Sequence, residues 1–298
     1  GEKFDAILSE CGAERVIEEV VKRDPQSLEP LRQAAEGKAG AGDMDGAGVV
    51  LAQLLEKESP PYTLALALAE SILPRCGASV RARVACAQVF AAVHRSFDAV
   101  RLTAPVVRHQ PKDLTARRVL GLALAALGAG PQAEEHLRAA IQGGVQGSER
   151  VEVFRALGEI YLARGDAALG IKALTHARDA APDDVSSRRA LARALAAEGD
   201  LSGAIDELTK AHAQAGSDDS TLEDELDRLA ARAFTKRVKE AEARLLADEA
   251  DAGARLELAA ALAQRGDLLD AVRELERAAE AGHTTGALDT AEELAEEH

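Results

Sequence analysis

A period of about 34 residues recurs along this 298-residue chain and constrains its fold more than any other feature. The clearest copy runs from Phe154 to Asp184. It contains a Leu-Gly pair at 157 and 158, a Gly-Asp turn at 165 and 166, and a closing Pro182. About 34 residues later the same phases hold Leu191-Ala192, Leu195, Gly199-Asp200, Ala204, Leu208 and Ala211.

Further copies extend the pattern in both directions. Regular units are predicted over 80–218 and 252–285, and weaker ones over 28–61 and 219–251, the last of which has lost its glycine turn. The pairs that match Leu157-Gly158 in the other regular units are Cys86-Ala87, Leu120-Gly121, Leu191-Ala192 and Leu258-Ala259.

The composition predicts that these units are helical. The chain is 47% hydrophobic but only 2% aromatic, so its core must be built from Ala, Leu and Val. Alternating β-branched runs, which are typical of strands, are missing. We therefore expect an all-α chain in which each unit is a pair of antiparallel helices that buries its apolar face only against its neighbours.

This pattern resembles the tetratricopeptide repeat (TPR) family over roughly 28–285. Its large, small and turn positions are occupied by Phe154, Leu157, Gly158, Tyr161, Gly170, Leu174, Ala177 and Pro182. The resemblance implies a right-handed superhelical solenoid that acts as a non-catalytic protein-binding scaffold. It also implies that the first helix of each unit lines a concave groove.

Three segments of one continuous solenoid are predicted: degenerate repeats at 1–79, regular repeats at 80–218, and a weak repeat, a regular repeat and a final helix at 219–298. The apolar stretch 60–79 has no partner helix in phase, so we expect a kink or an irregular extra helix near 62–74. Residues 13–25 fit the second helix of a unit begun earlier, so the array is either cut from a longer one or closed by caps.

No catalytic constellation is evident, and we expect neither enzymatic activity nor a cofactor. The seven histidines form no HxxxH or HExxH, and His136, His176 and His212 are predicted to lie on the surface. The glycine-rich stretches at 37–48 and 143–150 lack the lysine and the preceding strand of a phosphate loop, and GDMDGAG lacks the closing Glu of a calcium loop. They are interpreted as loops, and no metal site is predicted.

The net charge of −15 disfavours nucleic acid as a partner. No apolar run is long enough to span a bilayer, and the start of the sequence lacks the features of a signal peptide. Cys11, Cys76 and Cys86 are interpreted as small buried apolar residues in a reducing compartment. The Ala-, Arg- and Gly-rich composition without asparagine is typical of a GC-rich bacterium, and a cytoplasmic location is expected.

Candidate binding residues come from the positions two before and two after the first residue of each repeat pair. A ladder of arginines is predicted there, with an acidic segment on the equivalent face of the weak unit. Guanidinium groups suit carboxylates, so an acidic peptide, helix or domain is the expected partner. The predicted groove residues are Arg118, Arg155, Arg189, Arg193, Glu159 and Leu122, and the acidic ones are Glu223, Asp224 and Asp227.

Alternatives remain open at this point. The arginines also fit a solvated helix face or pairs with neighbours such as Glu152 and Glu159. The carboxylate clamp of TPR co-chaperones uses asparagines, which this chain lacks. A self-assembling array, with contacts through its repeat ends, and the regulatory part of a larger protein are the competing functions.

Overall fold

The computed structural model describes residues 25–57, 60–215 and 220–297. All regular structure in these ranges is helical. The chain divides into two compact units, Gly1–Ala181 and Pro182–His298. The predicted partition at 79/80 and 218/219 concerns repeat regularity and stays a prediction.

The first unit contains nine helices within its described residues. They are α1 (Pro25–Gly40), α2 (Met44–Leu55), α3 (Tyr62–Ile72) with a 3-10 turn at Leu73–Arg75, α4 (Val80–Ala92), α5 (Ser96–His109), α6 (Leu114–Ala126), α7 (Gly130–Gln142), α8 (Gly147–Arg164) and α9 (Ala167–Ala180). The pairs α1/α2, α4/α5, α6/α7 and α8/α9 pack as the repeat pattern predicts.

The described residues of the second unit form α10 (Val185–Glu198), α11 (Leu201–Ala215), α12 (Ser220–Ala247), α13 (Ala252–Gln264), α14 (Leu268–Glu280) and α15 (Thr284–Glu297). Helices α10/α11 and α13/α14 are the regular pairs.

The turn within three of the regular pairs is a glycine C-cap. Gly165, Gly199 and Gly266 adopt φ of 88°, 90° and 89°, a left-handed conformation that only glycine adopts without strain. The amide of the aspartate that follows Gly165 donates to the carbonyl of Tyr161, which closes the last helical turn. The Gly-Asp dipeptides therefore end the first helices, as the sequence predicts.

Helix α3 is the extra helix expected near 62–74. Its residues Leu64 to Ala69 are all buried, and Ile72 is buried as well. A helix that is apolar on all sides is stable in water only when neighbours cover it. Helices α1, α2 and α4 do so. Beside it α2 and α4 cross closely, because a Cβ at Gly48 would lie 2.9 Å from Cα of Ala82.

Two predictions of local structure are wrong. The weak unit at 219–251 is one continuous 28-residue helix, α12, and not a helix pair. Its sequence contains no glycine or proline that would end the first helix. The glycine-rich stretches predicted as loops are mostly helical, since α1 and α2 leave only residues 41–43 between them and α8 begins at Gly147. The second helix proposed for 13–25 falls outside the described residues, except for Pro25.

Candidate functional site

A concave groove of about 850 Å³ lies in the first unit. We call it the first-unit groove and define it by its lining residues, which fall within 45–56, 78–88 and 110–115, together with Glu149. These residues belong to α2 and the residue after it, to α4 and the two residues before it, to the loop ahead of α6 and its first turn, and to the start of α8. The second helix of the first pair and the first helices of the following pairs therefore contribute to one surface.

Three glutamine side chains line this groove at positions 53, 88 and 110. A glutamine amide both donates and accepts hydrogen bonds, so it can pair with the N–H and C=O groups of an extended peptide. Small or short apolar residues lie between them, among them Val49 and Ala52. The groove therefore has space for a peptide segment and side chains that can form hydrogen bonds with the main chain of that segment.

The lining of the groove is acidic. It holds one guanidinium, Arg81, and four carboxylates, Asp45, Glu56, Asp113 and Glu149. Asp45 accepts a hydrogen bond from Oγ of Ser79 at 2.6 Å, and Asp113 caps α6 by accepting from the amide of Ala116 at 2.8 Å, but these bonds leave both negative charges in place. The groove therefore carries a net negative charge.

Arg118, predicted to bind a partner, lies inside the helix stack, with its side chain only 8% exposed. Nη2 donates to Oε1 of Glu149 at 2.6 Å and Nη1 donates to Oε2 of Glu152 at 2.8 Å. The residue ties α6 to α8, the first helices of adjacent repeats. A partner carboxylate reaches Arg118 only by displacing these two glutamates.

The other predicted residues of the first unit are less enclosed. Arg155 is half-buried on α8 and has an interaction partner within the structure. Glu159 is exposed on the same helix. Leu122 is partly buried and packs against the core around Val153 and Leu157, so its main role is in packing.

Arg189 and Arg193 in the second unit share one carboxylate. Arg189 binds Glu225 through two parallel contacts, Nε to Oε2 at 2.9 Å and Nη2 to Oε1 at 2.7 Å, and Nη2 of Arg193 also donates to Oε1. The hydrogen bond from Arg189 lowers the pKa of Glu225, and Arg193 adds to the effect.

The predicted acidic residues of α12 point elsewhere. Glu223, Asp224 and Asp227 are all exposed, and Asp224 pairs loosely with Arg228 at 3.7 Å. Glu225 is the acidic residue that faces α10, and the sequence reasoning missed it. Helical spacing from the buried Leu222 was the available signal, because residues three apart share a face.

Sequence reasoning also missed a second set of arginines, which lie three residues, rather than two, before four of the five repeat pairs. Phe154 holds this position in the fifth. We call these the clamp arginines: Arg83, Arg117, Arg188 and Arg255. Each donates to the carbonyl six residues earlier, in the loop that precedes its helix, namely to Gly77, Pro111, Pro182 and Glu249. The signal was visible as an arginine four residues after the N-cap residue of each helix.

Two clamp arginines of the second unit also reach a buried carboxylate on the paired second helix. Nη1 of Arg188 donates to Oε2 of Glu207 at 2.6 Å, with side chains only 11% and 7% exposed. Nη1 of Arg255 donates to Oε2 of Glu274 at 3.0 Å. These pairs join the two helices of one repeat and are structural.

Two histidines predicted to be on the surface are partly buried instead. Nδ1 of His136 and Nδ1 of His212 are buried and make no hydrogen bond within the described residues. His176 is exposed, as predicted, and lies against the ring of Phe154 with centroids 5.2 Å apart. The surface prediction is wrong for these two residues because the second helices α7 and α11 pack more deeply there than the repeat phase suggests.

Burial lowers the pKa of His136, with Arg117 adding to the effect against Glu135. A histidine with a lowered pKa in the folded state takes up a proton more readily when the chain is unfolded. Its contribution to the free energy of unfolding is therefore full above pH 6.5 and falls as the pH drops below it. We expect His136→Gln to reduce the slope of the unfolding free energy against pH in that range. The reduction should correspond to less than one bound proton. Urea unfolding between about pH 5 and 7.5 measures this, with the exposed His176→Gln as the control. Parallel curves for wild type and His136→Gln would contradict the assignment.

Neither a metal site nor a membrane span is evident in the described residues. They contain no group of three or more His, Cys, Asp and Glu side chains that could hold a metal ion. No helix in the described ranges is long and apolar enough to cross a membrane. Cys76 and Cys86 are buried free thiols, as predicted, and Cys11 lies outside the described residues.

No protein-family model matches this chain, and no curated protein matches it either. Several solved structures are similar to it. TTC0263, a thermophilic TPR protein in Thermus thermophilus, is 22% identical over 63% of this chain and 97% of its own, with a TM-score of 0.49. YrrB, a TPR protein with an unusual peptide-binding site, is 15% identical over 75% of this chain and 97% of its own, with a TM-score of 0.41.

The APC/C hetero-tetramer Cut9-Hcn1 is similar over 98% of this chain and 52% of its own, at 13% identity and a TM-score of 0.48. At these identities the similarity concerns the fold, and the binding properties of this chain rest on its own residues. The all-α, TPR-like arrangement of stacked helix pairs that the repeat pattern predicts is the fold that the chain adopts.

Proposed function

We propose that this protein is a non-catalytic scaffold that binds an extended segment of a partner protein in the first-unit groove. The observation that carries the proposal is the groove itself, a space of about 850 Å³ to which α2, α4 and α8 and the loop before α6 all contribute. Gln53, Gln88 and Gln110 supply hydrogen bonds to the main chain of the partner. Apolar lining residues such as Val49 and Ala52 supply surface to bury.

Capture of partners from lysate by wild-type and variant protein tests this proposal. Gln53→Ala combined with Gln88→Ala removes two hydrogen-bonding groups, each worth about 1 kcal/mol, so capture of the specific partner is expected to fall roughly tenfold or more. Gln132→Ala combined with Gln142→Ala is the matched control, because both residues lie on α7 in the same unit and outside the groove.

The outcome is read from the set of captured proteins. Proteins held by wild type and by the control pair but lost from the groove pair support the proposal. Identical capture by all three baits would place binding elsewhere on the molecule. Equal helical content in the three baits, measured by circular dichroism, is the required check.

As a second candidate, we propose that the acidic partner expected from the sequence binds at Arg189 and Arg193. The observation that supports it is the 62% exposure of the Arg193 side chain, which leaves its guanidinium accessible beside Glu225. Arg155 remains a proposed contributor within the first unit. An Arg193→Ala bait is expected to lose an acidic partner, whereas Arg228→Ala, which is also exposed, is not; retention of every partner by Arg193→Ala excludes this candidate.

A further inference from the structure

Two cysteines of the first unit lie side by side in its core. Cys76 caps the 3-10 turn after α3, and Cys86 lies in the middle of α4, where its Sγ is 3.7 Å from the carbonyl oxygen of Ala69. The two thiols interact with each other directly, and this hydrogen bond lowers the pKa of Cys76 and raises that of Cys86. Cys76 therefore ionises more easily than an ordinary cysteine, and Cys86 ionises less easily.

A separate cavity of about 400 Å³ gives access to Cys76 but is not lined by Cys86. Its lining includes two arginines, Arg83 and Arg101, and the apolar side chains of Leu73 and Leu102. Arg83 also donates to the carbonyl of Gly77, and Nη2 of Arg101 donates to Oδ1 of Asp98 at 3.2 Å. Cys76 itself is only 3% exposed, so an oxidant reaches it through this cavity, where the two guanidinium groups favour the thiolate form.

From this geometry we propose that Cys76 is an oxidation site for small hydroperoxides and that Cys86 is its resolving partner. The cavity admits a small polar oxidant, and the arginines stabilise the Cys76 thiolate and the developing charge on the leaving oxygen. The site is independent of the partner-binding groove and of the proposed scaffold function.

The chemistry balances in two steps. The Cys76 thiolate attacks one peroxide oxygen, the O–O bond breaks, and the other oxygen leaves with a proton as water (or as an alcohol for an organic peroxide), which makes Cys76 a sulfenic acid. The sulfur of Cys86 then attacks the sulfur of Cys76, the S–O bond breaks, and the oxygen leaves as water with the Cys86 proton. Oxidation of Cys76 removes the thiolate that disfavours ionisation of Cys86, so the second step becomes easier after the first.

Mass spectrometry of the folded chain under a small excess of hydrogen peroxide tests the proposal. A Cys11→Ser background leaves Cys76 and Cys86 as the remaining cysteines. We expect this protein to lose two hydrogens and to yield a peptide in which the two cysteines are cross-linked. Adding Cys86→Ser is expected to stop the reaction at one added oxygen on Cys76, which a sulfenic-acid reagent traps.

Further variants separate reactivity from a general effect on folding. Adding Cys76→Ser is expected to leave Cys86 reduced over the same time, because Cys86 does not line the cavity. Arg101→Gln is expected to slow oxidation roughly threefold or more, while Arg228→Gln in the second unit leaves the rate unchanged. Circular dichroism confirms that each variant is folded.

Two results would overturn the proposal. One is that both cysteines stay reduced in the Cys11→Ser protein, while glutathione in a separate tube at the same peroxide concentration is oxidised. The other is that the Cys76→Ser variant is oxidised at Cys86 as fast as the Cys86→Ser variant is oxidised at Cys76.

Discussion

Replacing Glu207 by alanine is expected to destabilise the second unit by about 3–5 kcal/mol. The substitution leaves the guanidinium of Arg188 buried without its carboxylate partner, and the side chain is only 11% exposed. The remaining contacts from Nε of Arg188, to the carbonyl of Pro182 and to Oε1 of Gln214, compensate only part of that loss. Hydrogen exchange of amides in α10 and α11, read by mass spectrometry, measures the change locally and avoids the assumption of a two-state transition in a repeat protein.

Two controls define what the Glu207 result means. Asp270→Ala breaks the exposed pair with Arg273, whose side chains are 59% and 68% exposed, so it is expected to cost less than about 1 kcal/mol. Arg188→Leu combined with Glu207→Leu removes both charges together and is expected to recover most of the lost stability. A Glu207→Ala variant as stable as Asp270→Ala would show that the buried pair does not hold the two helices together.

Gly158→Ala is expected to destabilise the contact between α8 and α9 by about 1–3 kcal/mol. A Cβ at this position would lie 2.5 Å from Cγ of Leu174 and 3.2 Å from the carbonyl oxygen of Gly170. The second contact is with backbone, so the helices themselves must move apart. Urea unfolding monitored by circular dichroism, together with exchange of the amides in the two helices, measures the effect.

The same substitution on α1 is expected to have the opposite sign. Gly37 lies inside a helix and has nothing within 4 Å of the position of a new Cβ. Gly37→Ala should therefore raise stability by roughly 0.5–1 kcal/mol through better helix propensity. Destabilisation by both substitutions to a similar extent would contradict the close-contact explanation for Gly158.

How much of the fold the sequence predicts depends on how local the determining features are. The turns at Gly165, Gly199 and Gly266 are predictable because a left-handed C-cap needs glycine whatever surrounds it. The extra helix α3 is likewise predictable from its all-round apolar sequence. Helix α12 is mispredicted because a repeat phase assigned from Leu222 and Leu229 says nothing about whether the chain turns between them.

The candidate site is less predictable, because it depends on which side chains the neighbouring helices meet. Arginine two residues before the repeat pair marks a face of the first helix, but the sequence does not show that Glu149 and Glu152 enclose Arg118. Glutamines 53, 88 and 110 belong to no shared repeat phase and come together only in the folded groove. Non-local geometry of this kind is absent from a pattern that compares one repeat with the next.

Photocrosslinking tests directly whether partners bind in the first-unit groove. A photoreactive amino acid at Gln53 reports partners in the groove, and the same amino acid at Gln132 reports encounters with an exposed surface of the same unit. We expect a partner captured by the wild-type protein to crosslink to residue 53 through an extended segment of the partner, and not to residue 132. Equal crosslinking from both positions, or crosslinking from residue 132 alone, would contradict it.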